Sequence, residues 1–191
     1  GGPRCHASAA CSAAVTARNR AARREAPPQP VIYVGTGTCG LGAGAGKALA
    51  AIRAWLEAGA VDADVVEVGC IGLCVEEPLV DVQLPGRPRL TFARVTDKKA
   101  APLLSAIFSG LPPPFEPLGQ FRPEGAEPWP GVPLLDEHPF FAPQTRRVLA
   151  NCGVVDPSSL EEYLARGGYG ALARALRSLT PADVCRDIEL S

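Results

Sequence analysis

Methionine is absent from this 191-residue chain, histidine occurs twice, and aromatic residues make up 6% of it. The two histidines, His6 and His138, stand at no metal-ligand spacing, and His138 follows two acids in a proline-rich stretch. A histidine-based metal site and a histidine-dependent catalytic group are therefore not expected. No apolar run approaches the roughly 20 residues a membrane-spanning helix needs. A basic excess is also missing, since the formal net charge is −1. Arg146, Arg147, Arg166, Arg174 and Arg177 have no interleaved aromatics, so they read as solvated helix faces, and no nucleic-acid partner is expected. With no methionine, the chain opens at Gly1 without an initiator residue, which agrees with processing.

What is present is a folding chain with 47% hydrophobic residues, 20 glycines, 20 prolines and seven cysteines. Seven is an odd number and too sparse for a disulfide scaffold, which points to metal or redox chemistry. Charge is unevenly placed. The first thirty residues hold Arg4, Arg18, Arg20, Arg23 and Arg24 against the single acid Glu25, leaving the remainder acidic. Residues 1–30, rich in Ala, Arg and Ser, read as a basic, disordered or transit-peptide-like tail. An organelle is expected, chloroplast ahead of mitochondrion, with a bacterial cytoplasm as the alternative.

Beyond Pro30 the pattern is that of an α/β unit. Val31-Ile32-Tyr33-Val34 is a buried strand, and Gly35 to Gly46 a glycine-rich turn. Leu49, Ile52, Trp55 and Leu56 mark a helix over Lys47 to Ala58, stopped by Gly59. Asp64 to Val68 gives a second strand; Leu79 to Leu84 and Arg89 to Phe92 alternate as a hairpin around Pro85-Gly86. Thr96 caps a last helix carrying Leu103, Leu104, Ile107 and Phe108. The order is βαβββα, a thioredoxin-like unit over residues 31–110.

Residues 111–143 read as an extended proline-rich linker with scattered anchors at Phe121, Trp129, Phe140 and Phe141. Residues 144–191 read as a small all-α segment. Asp156-Pro157 opens a first helix with Leu160, Tyr163 and Leu164, and Gly167-Gly168 breaks it. A second helix carries Leu172, Ala175 and Leu176, and a capping box at Thr180 opens a third with Val184 and Ile188 inward.

The cysteines give the chemistry. Cys39 lies in the turn after the first strand, and Cys70 and Cys74 in the turn after the second, both turns containing glycines. Parallel neighbouring strands would bring those turns together, and thiolates from converging loops are what a [2Fe-2S] cluster requires. Two other readings stay open: buried cysteines acting as small hydrophobes, and a redox dithiol using two of the three. Cys152 and Cys185 read as structural thiols. The stretch Gly35-Thr36-Gly37-Thr38-Cys39-Gly40 formally satisfies a dinucleotide-binding fingerprint, but a cysteine loop and a hairpin follow it in place of a second crossover.

Val34-Gly35-Thr36-Gly37-Thr38-Cys39-Gly40-Leu41, with Glu67-Val68-Gly69-Cys70-Ile71-Gly72-Leu73-Cys74-Val75-Glu76-Glu77-Pro78, resembles the amino-terminal ferredoxin domain of the flavin-bearing, NADH-binding subunit of NADH dehydrogenases and bidirectional hydrogenases. Phe141 to Gly153 and Glu161 to Tyr169 are similar to the lead-in segment of the same subunit. The resemblance implies a thioredoxin-like [2Fe-2S] domain with Cys39, Cys70 and Cys74 as metal ligands. The family's fourth ligand falls at Val34, which cannot bind iron, so either a displaced cysteine such as Cys5 or Cys11 substitutes or the cluster is absent. In the family, the flavin-phosphate loop follows the position of Ser191, so no FMN or NAD is expected on this chain and hydride transfer is not expected of it alone. The implied function is an electron-transfer, ferredoxin-like subunit, at most part of an NADH-dependent oxidoreductase complex, with other protein subunits as partners. The alternative is a non-catalytic structural or assembly subunit of an organellar complex that keeps the fold without the cluster.

Overall fold

Val31–Gly35 (β1) is buried along its whole length, as a run of β-branched and aromatic residues in the middle of a sheet must be. In the computed structural model, which describes residues 9–122 and 125–191, β1 pairs in parallel with Asp64–Val68 (β2). On its other side it pairs antiparallel with Val80–Gln83 (β3). Leu90–Phe92 (β4) completes the hairpin with β3, and a two-residue strand, Gly119–Gln120 (β5), follows at the edge. The sheet order is β2-β1-β3-β4-β5. One parallel pair joined by a helical crossover, a hairpin and a terminal helix make the expected thioredoxin-like α/β topology. They also exclude a dinucleotide-binding sheet, which needs a second crossover.

Two helices cover one face. Ala45–Gly59 (α3) buries Ala45, Ala48, Leu49, Ile52 and Leu56, and Asp97–Phe108 (α4) buries Ala100, Leu103, Leu104 and Ile107. Together with Ile32, Val34, Val80, Val82, Leu90 and Phe92 they form the main core. Each fully buried aliphatic side chain there contributes about 1.5–3 kcal/mol. The Trp55 indole N–H donates to Ser105 Oγ at 3.0 Å and its ring meets Phe108 edge-on, which locks α3 to α4.

The glycine-rich turn holds more structure than its composition suggests. A short helix, Thr38–Ala43 (α2), occupies it, and Gly44, at φ +104°, both closes α2 and starts α3. A left-handed residue at such a junction favours glycine. The proline-rich stretch is likewise tied down. From β5, the Gln120 side chain donates to the carbonyls of Trp129 and Val132 and accepts from the Trp129 N–H. Leu135 and Phe141 are buried against Ile71, Leu73 and Leu79 on the second face of the sheet.

The described residues divide into two compact units, one spanning Arg24–Ser158 and one combining the chain up to Arg23 with Ser159–Ser191. In the second, the segment read as a disordered or transit-peptide-like tail carries a helix, Ala9–Ala22 (α1), in keeping with the high helix propensity of its alanines. It packs beside Leu160–Ala165 (α5). Gly170–Ser178 (α6) and Pro181–Glu189 (α7) follow. The start of α5 differs from the expectation: Ser159 is its cap, while Asp156 accepts a hydrogen bond from the Ser158 N–H instead. The Thr180–Asp183 capping box forms as read. Ile188, expected to face inward, is 70% exposed, and Leu172 and Leu176 are exposed as well.

Candidate metal centre

Because β1 and β2 run parallel, the loops at their carboxyl ends emerge side by side. The first leads into α2, whose first turn carries Cys39. The second carries Cys70 and runs into a short 3₁₀ turn, Cys74–Glu76. The three sulfurs lie within 4.8 Å of one another, with Cys74 Sγ 3.1 Å from Cys39 Sγ and 3.6 Å from Cys70 Sγ. Those distances are far beyond a disulfide bond, and all three are free thiols. Cys39 and Cys74 are exposed; Cys70 is half-buried.

The glycines around them follow from this convergence. A Cβ on Gly37 would stand 3.2 Å from the Cys70 backbone N, and one on Gly40 would stand 2.0 Å from the Gly35 carbonyl oxygen. Any side chain at position 40 would thus push α2, and Cys39 with it, off the sheet end. Gly72 directs its N–H at Cys70 Sγ at 3.2 Å, a bond that steadies negative charge on the sulfur.

The Cys70 and Cys74 thiols are both shifted upward. Hydrogen bonding to Cys39, then to Cys70, pushes the Cys74 thiol up to about 12. Burial raises Cys70, partly offset by the Gly72 N–H and the Cys74 thiol. Thiolates this close repel one another, and a bound cation is what would offset that repulsion. Behind them sits Glu77, 7% exposed, whose Oε2 accepts from the Leu79 N–H at 2.8 Å while its Oε1 has no hydrogen-bond partner. Burial raises its pKa, offset in part by that N–H and by the Cys70 thiol.

The other residues singled out from the sequence fall elsewhere. Val34 is fully buried in the main core among Ile32, Val80 and Val82. Cys11, on α1, and Cys185, on α7, belong to the second unit, while Cys5 and His6 lie outside the described residues. His138 accepts a hydrogen bond from the Phe140 N–H at its Nδ1, a local structural role. Cys152 is half-buried in the first unit.

Sequence reading missed the polar face of the hairpin. Asp81, Gln83, Arg89 and Thr91 are the polar positions of the alternating hairpin, and all four are buried. Arg89 pairs with Asp81, lies over the Tyr33 ring at 3.7 Å and the Phe121 ring at 4.6 Å, and donates to the Gly153 carbonyl at 2.6 Å. Burial raises the Asp81 pKa, with Arg89 pulling the other way. Phe121 and the Gly153 segment cover Arg89 from a distance along the chain, and no local signal marks this. A cleft of about 480 Å³ flanks the site, lined by Thr36, Gly37, the β2 residues Val65 to Val68, Gly69 and Asp156 to Ser158.

No protein-family model matches the chain. A stretch of 41 residues, 22% of the chain, is 46% identical to the NADP-reducing hydrogenase subunit HndC of Solidesulfovibrio fructosivorans, and the match spans 8% of that relative's length. Among solved structures, a thioredoxin-like [2Fe-2S] ferredoxin from Aquifex aeolicus is similar over 53% of this chain and 100% of its own, at 14% identity and a TM-score of 0.42.

Proposed function

We propose that the sheet-bearing unit is a ferredoxin-like electron-transfer module that holds a [2Fe-2S] group through Cys39, Cys70 and Cys74. The observation that carries this reading is the convergence of three thiols, from two loops, within 4.8 Å at the end of two parallel strands. Buried cysteines serving as small hydrophobes would have no reason to gather where two of them are exposed. When bound, the group supplies one-electron transfer.

The chain's own residues would prepare the site in three ways. Gly37 and Gly40 allow the loops to touch, the Gly72 N–H stabilises charge on Cys70, and the exposure of Cys39 and Cys74 leaves the sulfurs within reach of an electron-transfer partner. That partner is another subunit of a multi-subunit oxidoreductase, which would carry the flavin and nicotinamide chemistry. The short match to a subunit of an NADP-reducing hydrogenase supports this direction. The basic, alanine-rich segment Pro3 to Pro30 supports an organellar location, chloroplast first.

One observation favours a second reading. Val34 stands where the resemblance puts a ligand, and its burial in the core removes it from the site. On that reading the unit is a structural or assembly subunit that keeps the fold without iron. Anaerobic purification with iron and acid-labile sulfide analysis separates the two. Iron and sulfide in equal amounts, with visible charge-transfer absorption, support the electron-transfer reading; a colourless, iron-free protein after reconstitution supports the structural one.

A further inference from the structure

A [2Fe-2S] group normally takes four thiolates, and three converge among the described residues. We infer that Cys152 is the fourth, an assignment that rests on the cluster reading above. Cys152 is followed by Gly153, at φ +75°, whose backbone is pressed onto the turn around Cys70. A Cβ on Gly153 would stand 2.0 Å from Ile71 Cγ2 and 3.3 Å from the Gly69 carbonyl oxygen. Conversely, a Cβ on Gly69 would stand 3.8 Å from the Gly153 N. Adding standard bond lengths, the Cys152 Cα lies at most about 8 Å from the Gly69 Cα, and Gly69 is the residue before Cys70.

This approach is enforced. Arg89 donates to the carbonyls of Gly153 at 2.6 Å and Val154 at 3.4 Å, and Arg146 donates to those of Leu149 at 3.0 Å and Cys152 at 3.4 Å. Two guanidinium groups therefore fix the backbone on either side of the Cys152 thiol. One of them, Arg89, is buried with Asp81 at the desolvation cost such a pair carries.

Two irons would take four terminal thiolates between them, so the three converging sulfurs would leave one place for a further donor. Cys152 is a free, half-buried thiol in the same compact unit as the triad.

The test uses the full chain, reconstituted anaerobically with ferrous iron and sulfide, and reads thiol alkylation by mass spectrometry. In loaded protein, Cys39, Cys70, Cys74 and Cys152 are expected to be protected together while Cys185 labels, and stripping the iron with a chelator should expose all four. C152A is expected to lower iron from about two per chain to below about one. C152S, which offers a harder oxygen donor, should keep iron but shift the absorption and electron paramagnetic resonance spectra. Labelling of Cys152 as fast as Cys185 in loaded protein would overturn the inference, as would a C152A protein with wild-type iron and spectra while C39A loses both. Those results leave the cluster reading standing. Wild-type protein that takes up neither iron nor sulfide would instead overturn the cluster reading, and this inference with it.

Discussion

Helices α3 and α4 of the sheet-bearing unit and helices α6 and α7 of the helical unit carry apolar residues at the same spacing, and they end in opposite environments. Ile52, Leu103 and Leu104 are fully buried, whereas Leu176 is 79% and Ile188 70% exposed. Helical periodicity reports that a helix has an apolar side; it does not report what covers it. In the sheet-bearing unit that cover is the sheet itself, and stability there rests on packing. In the helical unit the local devices are more visible, namely the Ser159 cap and the Thr180 capping box.

The sharpest way to break this contrast is at Arg89. Arg89→Ala leaves Asp81 buried and uncompensated and is expected to destabilise the sheet-bearing unit by about 3–5 kcal/mol. Urea unfolding followed by tryptophan fluorescence reads this unit directly, since Trp55 and Trp129 both lie in it. A change below about 1 kcal/mol would mean that the buried pair does not hold the covering segment.

Next comes a matched pair of leucines. Leu103→Ala should lose about 2–5 kcal/mol through transfer and cavity terms. Leu176→Ala, on its exposed face, should stay within about 0.5 kcal/mol. Equal losses at the two positions would show that α6 is covered in solution.

Gly40→Ala tests the site rather than the core. Its methyl would overlap the Gly35 carbonyl, and relieving that contact should cost about 1–3 kcal/mol and reduce iron uptake even though every cysteine remains. Unaltered iron content in a soluble variant would show that α2 need not sit where it does.

The smallest effects belong to the helical unit. Thr180→Ala should weaken α7 by about 1 kcal/mol, seen as lost helical signal in far-ultraviolet circular dichroism. Hydrogen bonds from Thr180, and then the Arg186 guanidinium, hold the Asp183 carboxyl below its ordinary value. A carboxylate depressed in the folded state stabilises above its unfolded pKa, and that support is lost as pH falls through the folded one. The α7 signal should therefore decline on acidification below the ordinary carboxylate range, and the decline should shrink in Thr180→Ala.

Much of the sheet-bearing unit was legible because its signals are local. The alternation of the hairpin, the helical spacing of Leu49 to Leu56, and the strand-then-cysteine order at Val68 to Cys74 each predict an element that forms. The meeting of Cys39 with Cys70 and Cys74 also followed, since parallel neighbours put their following loops at one end. What escaped was set at long range. β5 has two residues and no periodicity of its own, and α2 hides in a glycine-rich stretch that reads as a turn. Arg89 and Asp81 are polar positions of the alternating hairpin, and Phe121 and the Gly153 segment cover Arg89 from a distance along the chain. The same limit hid the approach of the Gly153 backbone to the Cys70 turn, where Arg89 donates to the Gly153 carbonyl.

The most direct test of the account is the electron paramagnetic resonance spectrum of the anaerobically reconstituted full chain after reduction with dithionite. The account predicts a rhombic, spin-one-half signal from a reduced [2Fe-2S] group, absent from Cys39→Ala, Cys70→Ala and Cys74→Ala proteins that still show wild-type circular dichroism. A silent spectrum from protein with no bound iron or sulfide, and with all three thiols open to alkylation, would contradict it.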